Sequence, residues 1–577
     1  MKNLELAQIF YRMAEFLEMK EDGFRARAYA RVARVLDSLE KDAAEIYRRG
    51  GIKALKEIPS VGEGIAEKIE EYLRTGKIKE YQKLKKASPV DVEALTNVEG
   101  IGPKKIKALY QELGVRNIGD LEKAAKGGKI ALLEGFGAKS EKNILQAIAF
   151  AKADKGRFTL GGILPTVREI VGELKKLPEV GQISVAGSVR RMKETIGDVD
   201  ILVTSSKPDK VMDYFVSLPG IVKVWAKGPT KSSVRFKSGF DCDLRVVKKV
   251  SYGAALQYFT GNKEHNILLR RLAIKKRLKL NEYGVYQGKA KIAGRTEKEV
   301  YQAIGLPYIE PELRTNSGEI EAAIRQSQNK PDGLPKIIGY DDIRGETQCH
   351  TDWSDGTQTI AAMAKAAKRM GYEYIVITDH AGFLRIAGSM DEKRLLKQMQ
   401  EIDKIGQNIP GVKILKGCEV DIKMDGGLAI KDEVLAKLDI VVASVHSGFK
   451  ISGADMTKRL LRALENPNVD IIAHPTGRII QKREGYSFDF NKIFQAAKEN
   501  KAALEINAHY NRLDLRDIDI RQAIGAGVKL TIGTDAHNLL GLKLMELGIA
   551  QARRGWATKG DILNSSSLNS FLGFFKR

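Results

Sequence analysis

The 577-residue sequence predicts a multidomain protein: a helical amino-terminal region, a central α+β domain and a carboxy-terminal α/β barrel. Three observations predict this. Apolar-glycine turns recur between helical stretches in the first 150 residues. A short strand and its Gly-Ser turn are then followed by a second strand that carries paired aspartates. Beyond residue 349, histidines recur at the ends of apolar runs that alternate with helical segments.

In residues 1–50, Leu6, Ile9, Phe10, Met13 and Leu17 fall at helical spacing. Three related segments follow: Ile58-Pro-Ser-Val-Gly-Glu-Gly64, Val98-Glu-Gly-Ile-Gly-Pro-Lys-Lys105 and Leu133-Glu-Gly-Phe-Gly137. A single Gly-x-Gly between helices is usually just a turn. Three in succession look like helix-hairpin-helix motifs, whose turn amides and helix N-termini grip duplex phosphates without reading sequence. Gly62, Gly64, Gly100, Gly102, Lys104 and Lys105 are the candidate DNA contacts.

In the central region, Ile183–Ala186 reads as a strand, Gly187-Ser188 as a turn that a phosphate can approach, and Val199–Val203 as a second strand. Asp198 and Asp200, two apart, share one face, and such a pair repels itself unless a divalent cation such as Mg²⁺ intervenes. Asp243 adds a third carboxylate on another strand. Three acids of this kind suit two-metal attack on a nucleotide phosphate. Asp-x-Asp alone is ordinary surface chemistry; preceded by Gly-Ser and followed by a third strand acid, it is far more specific.

This pattern resembles the nucleotidyltransferase palm of the DNA polymerase beta superfamily, family X. The resemblance implies that Ser188 and Arg191 bind triphosphate oxygens beside Gly187, with Arg190 structural. Tyr258-Phe259-Thr260-Gly261-Asn262 matches the family's nucleotide-binding segment. By that likeness Tyr258, Phe259 and Gly261 contact the incoming nucleotide, and Asn266 and Arg270 the nascent pair and template groove. Lys263 stands where the best-known member has an acid. Lys68 falls where lyase members carry a Schiff-base lysine, with Arg25 and Tyr29 at other pocket positions and Gly64 replacing a helper lysine.

Six of the seven histidines lie from residue 350 onward, most after strand-like runs such as Ile375–Thr378, Ile440–Ser444 and Leu530–Thr534. One histidine at a strand end is more often structural than a ligand. Repetition across successive strands instead suits a multinuclear metal centre at the carboxyl end of a barrel. The set resembles the PHP (polymerase and histidinol phosphatase) domain. That likeness implies His350, Asp355, His380, Glu419, His446, His474, Asp535 and His537 as ligands to Mn²⁺ or Zn²⁺. It leaves His509 outside the pattern, makes Asp379 a support for the ligands and Arg478 a phosphate contact. The family's His-x-His is Gln348-Cys349-His350 here, and an amide is a weak transition-metal ligand.

The expected domains are 1–90 (lyase-like, helical), 91–150 (helix-hairpin-helix), 151–250 (palm), 251–314 (nucleotide-binding), 315–342 (a linker rich in turn formers) and 343–577 (PHP). Residues 101–300 hold 39 Lys+Arg against 20 Asp+Glu, which concentrates most of the chain's +23 charge on the segment with the palm acids. Three scattered cysteines offer neither a disulfide framework nor a zinc motif; the first residues do not read as a signal-peptide h-region, and no apolar run reaches membrane-spanning length. A cytoplasmic, monomeric protein is expected.

The resemblance spans nearly the whole chain. It implies template-directed filling of short gaps in base-excision repair, acting on gapped or nicked DNA and dNTPs, with a 3′–5′ exonuclease and an accompanying abasic-site endonuclease in the barrel. Two other readings stay open: a template-independent nucleotidyltransferase fused to a small-molecule phosphatase, and a DNA-break-binding scaffold.

Overall fold

Amphipathic helices fill the first 130 residues of the computed structural model, which describes residues 2–575 apart from 40–41, 97, 99–100, 139, 143, 146–147, 149–155 and 385–386. Leu6, Phe10, Met13 and Leu17 of the Lys2–Met19 helix are buried in one core with Ile69, Tyr72, Ile106 and Leu109 from the following helices. The three hairpin turns repeat one geometry: Val61, Ile101 and Phe136 each donate a backbone N–H to the carbonyl three residues earlier, at 3.1 Å.

Gly62 and Gly102 cap the Glu63–Thr75 and Pro103–Leu113 helices with no side-chain acceptor, so the first-turn amides stay available to an anion. Lys104 follows on the exposed side of the second helix, and the Lys105 ammonium lies 5.3 Å from the Phe136 ring centre. One expectation is corrected. Gly64 lies inside the helix, and the left-handed turn position of the first hairpin is taken by Ser60 (φ +63), as Gly135 (φ +77) takes it in the third. Gly100 lies outside the described residues.

The central domain is a five-stranded sheet of β1 (Val180–Val185), β2 (Asp198–Ser205), β3 (Ile221–Lys227), β4 (Lys231–Phe236) and β5 (Asp241–Val247), in the order β1-β2-β5-β4-β3. Apolar residues of the Leu160–Lys175 and Pro208–Val216 helices cover one face. The other face carries the acids. Parallel pairing of β2 with β5 sets Asp198 opposite Asp241 and Asp200 opposite Asp243.

Residues 252–303 form helices around a small antiparallel sheet, closing on a core with Leu269, Val285, Val300 and Tyr301. The stretch 315–342 is not an open linker. Its turn formers flank a Glu319–Ser327 helix, whose Ile320 and Ala323 enter that same core. Glu319 is buried against His265, 2.7 Å away.

The carboxy-terminal domain is a ring of parallel strands: β6 (Gly345–Cys349), β7 (Tyr374–Ile377), β8 (Lys413–Asp421), β9 (Ile440–Ser444), β10 (Ile471–Ile472), β11 (Ala503–Asn507) and β12 (Leu530–Gly533), in that order. A parallel bridge between Cys349 and Ala536 brings the last strand back to the first. Alternation divides the side chains. Ile375 and Ile377 pack outward with the helices, whereas Tyr374, Val376, Leu415 and Val442 point inward onto Phe571 and Phe575 of the Leu568–Phe575 helix, which floors the ring.

One barrel helix, Met545–Arg554, joins the units. Leu547 and Ala550 enter the central-domain core, and Gly161 is needed there because a Cβ would stand 2.4 Å from that of Tyr510. Arg553 pairs with Glu312 at 2.7 Å, while Arg554 donates to the Met192 carbonyl and to Asp517 at 3.1 Å. Among the described residues, no helix is long and apolar enough to cross a membrane.

Candidate active sites

The turn after β1 is built around Gly187. Its φ is +59, and a Cβ there would stand 2.8 Å from Asp200 Oδ2, so a bare backbone is required beside the acid. Ala186 N–H donates to the Asp200 carbonyl at 2.8 Å and fixes the turn on the strand. A cavity of about 490 Å³ opens here, lined by Gly187, Ser188, Arg191, Asp198, Asp200, Tyr258, Phe259, Gly261, Asn266 and Arg270. All eight residues expected to bind nucleotide therefore share one cavity with two of the acids.

Burial, then the neighbouring Asp198 and Asp243, push Asp200 up to about 6. A divalent cation would reverse that repulsion, so the donor set fits a hard metal. Asp243 is held differently: Ser233 donates to one oxygen at 2.5 Å and Lys231 lies 2.7 Å from the other. Neither neighbour was anticipated, although the alternating pattern of β4 signals that Lys231 and Ser233 share a face.

Arg190 is structural, bound to Glu297 at 2.8 Å and to Thr260 Oγ1 at 2.7 Å. Asn266 lines the cavity, but its amide is engaged by the Tyr258 carbonyl (2.6 Å) and by Gln257 (2.8 Å). Lys263, Arg157 and Lys193 add positive charge to the wall; the last two were not foreseen.

Lys68 sits with Arg25 and Tyr29, as the sequence suggests, around an unanticipated Glu80. Its ammonium lies 3.1 Å from Glu80 and donates to Gly64 O at 2.9 Å. Burial works against the charge, yet Glu80 and Tyr29 raise the pKa. In this arrangement the lysine is a protonated partner, not a free nucleophile.

At the carboxyl end of the barrel Glu419 is the hub. It meets His474 Nε2 at 2.9 Å, His380 Nδ1 at 3.0 Å, His446 Nε2 at 3.4 Å and His350 Nε2 at 3.6 Å. Asp355 faces His537 at 3.3 Å, and Asp535 faces His350 at 3.2 Å. Candidate ligand atoms of His350, Asp355, His380 and His537 lie within 4.8 Å of one another, as do those of His380, Glu419 and His446. Both nitrogens of His350, His380 Nδ1, His474 Nδ1 and Glu419 Oε2 are buried without hydrogen bonds, so the cluster fits bound metal. His474 (φ +29) and Asp535 (φ +53) both hold left-handed backbone, strain spent on aiming donors inward.

The charges follow from this crowding. Burial disfavours an imidazolium, but Glu419 and Asp421 raise His446 to about 10, and Asp355 and Asp535 raise His537 to about 9. Burial would raise Asp355, but His537 brings it down to about 2.

Asp379 accepts from Thr351 N–H (2.7 Å), Thr351 Oγ1 (2.5 Å), Ser354 Oγ (2.5 Å) and Gln398 (2.6 Å), which anchors the loop carrying Asp355. His509 stays apart, bound to Asn511 at 2.6 Å, and burial lowers it to about 4. Arg478 does not face this centre. It donates to Glu194 of the central domain and to the Leu513 carbonyl, and Arg512, 3.6 Å from Asp535, is the arginine beside the cluster.

Comparison with known proteins agrees with this layout. A helix-hairpin-helix domain family matches residues 1–78, a SAM-like helix-hairpin-helix tandem 92–149, the DNA polymerase beta thumb 255–315 and the PHP domain 346–509. The tandem includes the third, degenerate hairpin. The chain is 37% identical to DNA polymerase/3′-5′ exonuclease PolX of Bacillus subtilis, over the whole of both chains. It is 32% identical to a probable phosphatase of Thermoanaerobacter sp. (strain X514), over 38% of this chain and 89% of that protein. A probable phosphatase of Caldanaerobacter subterraneus is 33% identical over 33% of this chain and 75% of its own length.

Proposed function

The chain belongs to the family X DNA polymerases that carry a carboxy-terminal PHP domain, and from that premise we propose that it fills short gaps in DNA during repair and trims 3′ ends with its barrel. The observation that carries the polymerase reading is the single cavity uniting Gly187, Ser188 and Arg191 with Asp198, Asp200 and the Tyr258–Gly261 segment.

In that cavity Ser188 and Arg191 hold triphosphate oxygens, and Lys193 and Arg157 balance their charge. Tyr258 and Phe259 form the wall against the sugar. Asp198, Asp200 and Asp243 would hold Mg²⁺, which when bound supplies activation of the primer hydroxyl and charge stabilisation. Lys231, now on Asp243, must yield that carboxylate as the site loads.

In the barrel, His350, Asp355, His380, Glu419, His446, His474, Asp535 and His537 would hold Mn²⁺ or Zn²⁺, whose chemistry is water activation for phosphodiester hydrolysis. Arg512 neutralises charge at the rim. The uncapped hairpin turns and the basic segment 101–300 bind the backbone of gapped or nicked duplex. The protein acts as a cytoplasmic monomer, and abasic-site cleavage is a second task open to the same barrel.

A labelled one-nucleotide-gap duplex with Mg²⁺ or Mn²⁺, with and without dNTPs, tests this. Templated single-nucleotide addition with dNTPs and 3′ shortening without them are expected. Untemplated addition would favour the nucleotidyltransferase–phosphatase alternative instead.

A further inference from the structure

The loop Met192–Gly197 runs from the triphosphate-binding turn to the first catalytic acid, and the barrel domain grips it along its length. Arg554, 4% exposed, donates to the Met192 carbonyl. Asp517 binds both Arg554 (3.1 Å) and Lys193 (3.2 Å), and Lys193 lines the nucleotide cavity. Glu194 is paired with Arg478. Arg157, which also lines the cavity, holds Thr195 Oγ1 at 2.9 Å, and its own carbonyl is held by Gln481 at 2.8 Å.

The barrel loops that supply these groups are the ones that shape the metal centre. Arg478 lies four residues after His474, and its second acceptor, Leu513 O, neighbours Arg512 beside Asp535. Thr476 is tied to Asp514 at 2.9 Å, so the two loops move as one piece.

Resting on the polymerase reading of this cavity, we propose that Glu194 and Arg478 are positioning residues for nucleotide binding: the barrel domain acts as the buttress that sets Ser188, Arg191 and Lys193 at triphosphate distance. Neither residue lines the nucleotide cavity or belongs to the candidate metal-ligand groups. Its side chains are 20% and 11% exposed, so the ion pair is largely shielded from solvent and stiffer than a surface bridge. Breaking it frees the loop and weakens triphosphate binding equally in the ground and transition states, which raises KM without lowering kcat.

Steady-state incorporation by the full-length protein tests this with Glu194→Gln, Arg478→Ala and the charge-swapped pair Glu194→Arg/Arg478→Glu. Each single change is expected to raise the KM for dNTP by roughly tenfold while kcat stays within about twofold, and the swap to recover most of the loss. Glu546→Ala removes the Arg168–Glu546 pair at 2.6 Å, elsewhere on the same interface, and should leave KM unchanged. Unchanged KM in both single variants, an equal rise in Glu546→Ala, or a swap no better than the singles would each overturn the proposal. Asp243→Asn, run alongside, separates the two claims: full incorporation by that variant would refute the cavity assignment itself.

Discussion

Gln348 meets Glu505 inside the barrel: with its amide nitrogen turned to the acid, it donates to Oε2 at 3.0 Å. That oxygen also accepts His474 N–H at 2.8 Å and Asn507 Nδ2 at 3.1 Å. Burial, then Asp535, raises the Glu505 pKa well above the carboxylate range. The residue standing where an imidazole ligand is expected therefore supports an acid that braces His474.

Gln348→His places a metal-binding nitrogen beside His350 and breaks the amide–acid pair. The expected outcome is more metal retained after dialysis, and about a tenfold lower Mn²⁺ concentration for half-maximal nuclease activity. Elemental analysis paired with exonuclease titration checks it. Unchanged retention with lower activity would show that bracing His474 is the whole role of Gln348.

Asp243→Asn should lower nucleotide incorporation by at least about a hundredfold, because the carboxylate is needed for metal-assisted attack. Affinity for gapped DNA should stay within about twofold, since it comes from phosphate contacts by the hairpins and the basic segment. Gel-shift and single-turnover assays read the two separately.

His380→Ala should cut hydrolysis by a similar factor yet keep polymerization within about twofold, since the His380 ring sits among Glu419, Asp355, His350 and His446 of the barrel centre and does not line the nucleotide cavity. Loss of both activities in a folded variant would point to one shared centre.

Metal loading of the barrel should release protons. His446 and His537, at about 10 and 9, are both protonated at pH 7.5, and each must give up its proton to bind a cation. The apparent affinity of each ion therefore rises with pH through the range below 9, by about one order of magnitude per unit for the one histidine proton it displaces. Calorimetry in two buffers of different ionisation enthalpy should count about two protons per fully loaded barrel. A count of zero would remove both histidines from the ligand set.

Lys68 should give little borohydride-trapped adduct with 5′-deoxyribose-phosphate DNA, because Glu80 keeps its ammonium charged. Glu80→Gln removes that partner and should raise trapping by roughly tenfold. An adduct that is already strong in the unaltered protein, and lost in Lys68→Ala, would show that Glu80 withdraws when DNA binds.

Much of this was legible because spacing carries geometry. Asp198 and Asp200 share a face by alternation, and histidines after strand runs must meet at one end of a parallel ring. What escaped depends on contacts between distant segments. The PHP likeness made Arg478 a phosphate contact at the metal centre, but the fold pairs it with Glu194 instead. Turn formers at 315–318 and 328–335 concealed a helix because they bound it on both sides. In the first hairpin the Gly62–Gly64 pair drew attention from Ser60, whose positive φ no composition rule would announce. Glu80, Glu505 and Lys231 have no motif at all; only the folded chain brings them to Lys68, Gln348 and Asp243.

Arg553 and Arg554 are consecutive, yet one holds Glu312 in the segment matched by the polymerase beta thumb and the other holds Met192 in the central domain. A single peptide unit thus ties two distant segments, 241 and 362 residues away along the chain, to one barrel helix. Both segments are thereby clamped to one barrel helix, which resists their moving apart. Held to one frame in this way, the particle should hardly change its overall dimensions in solution when nucleotide is added, which small-angle scattering reads directly.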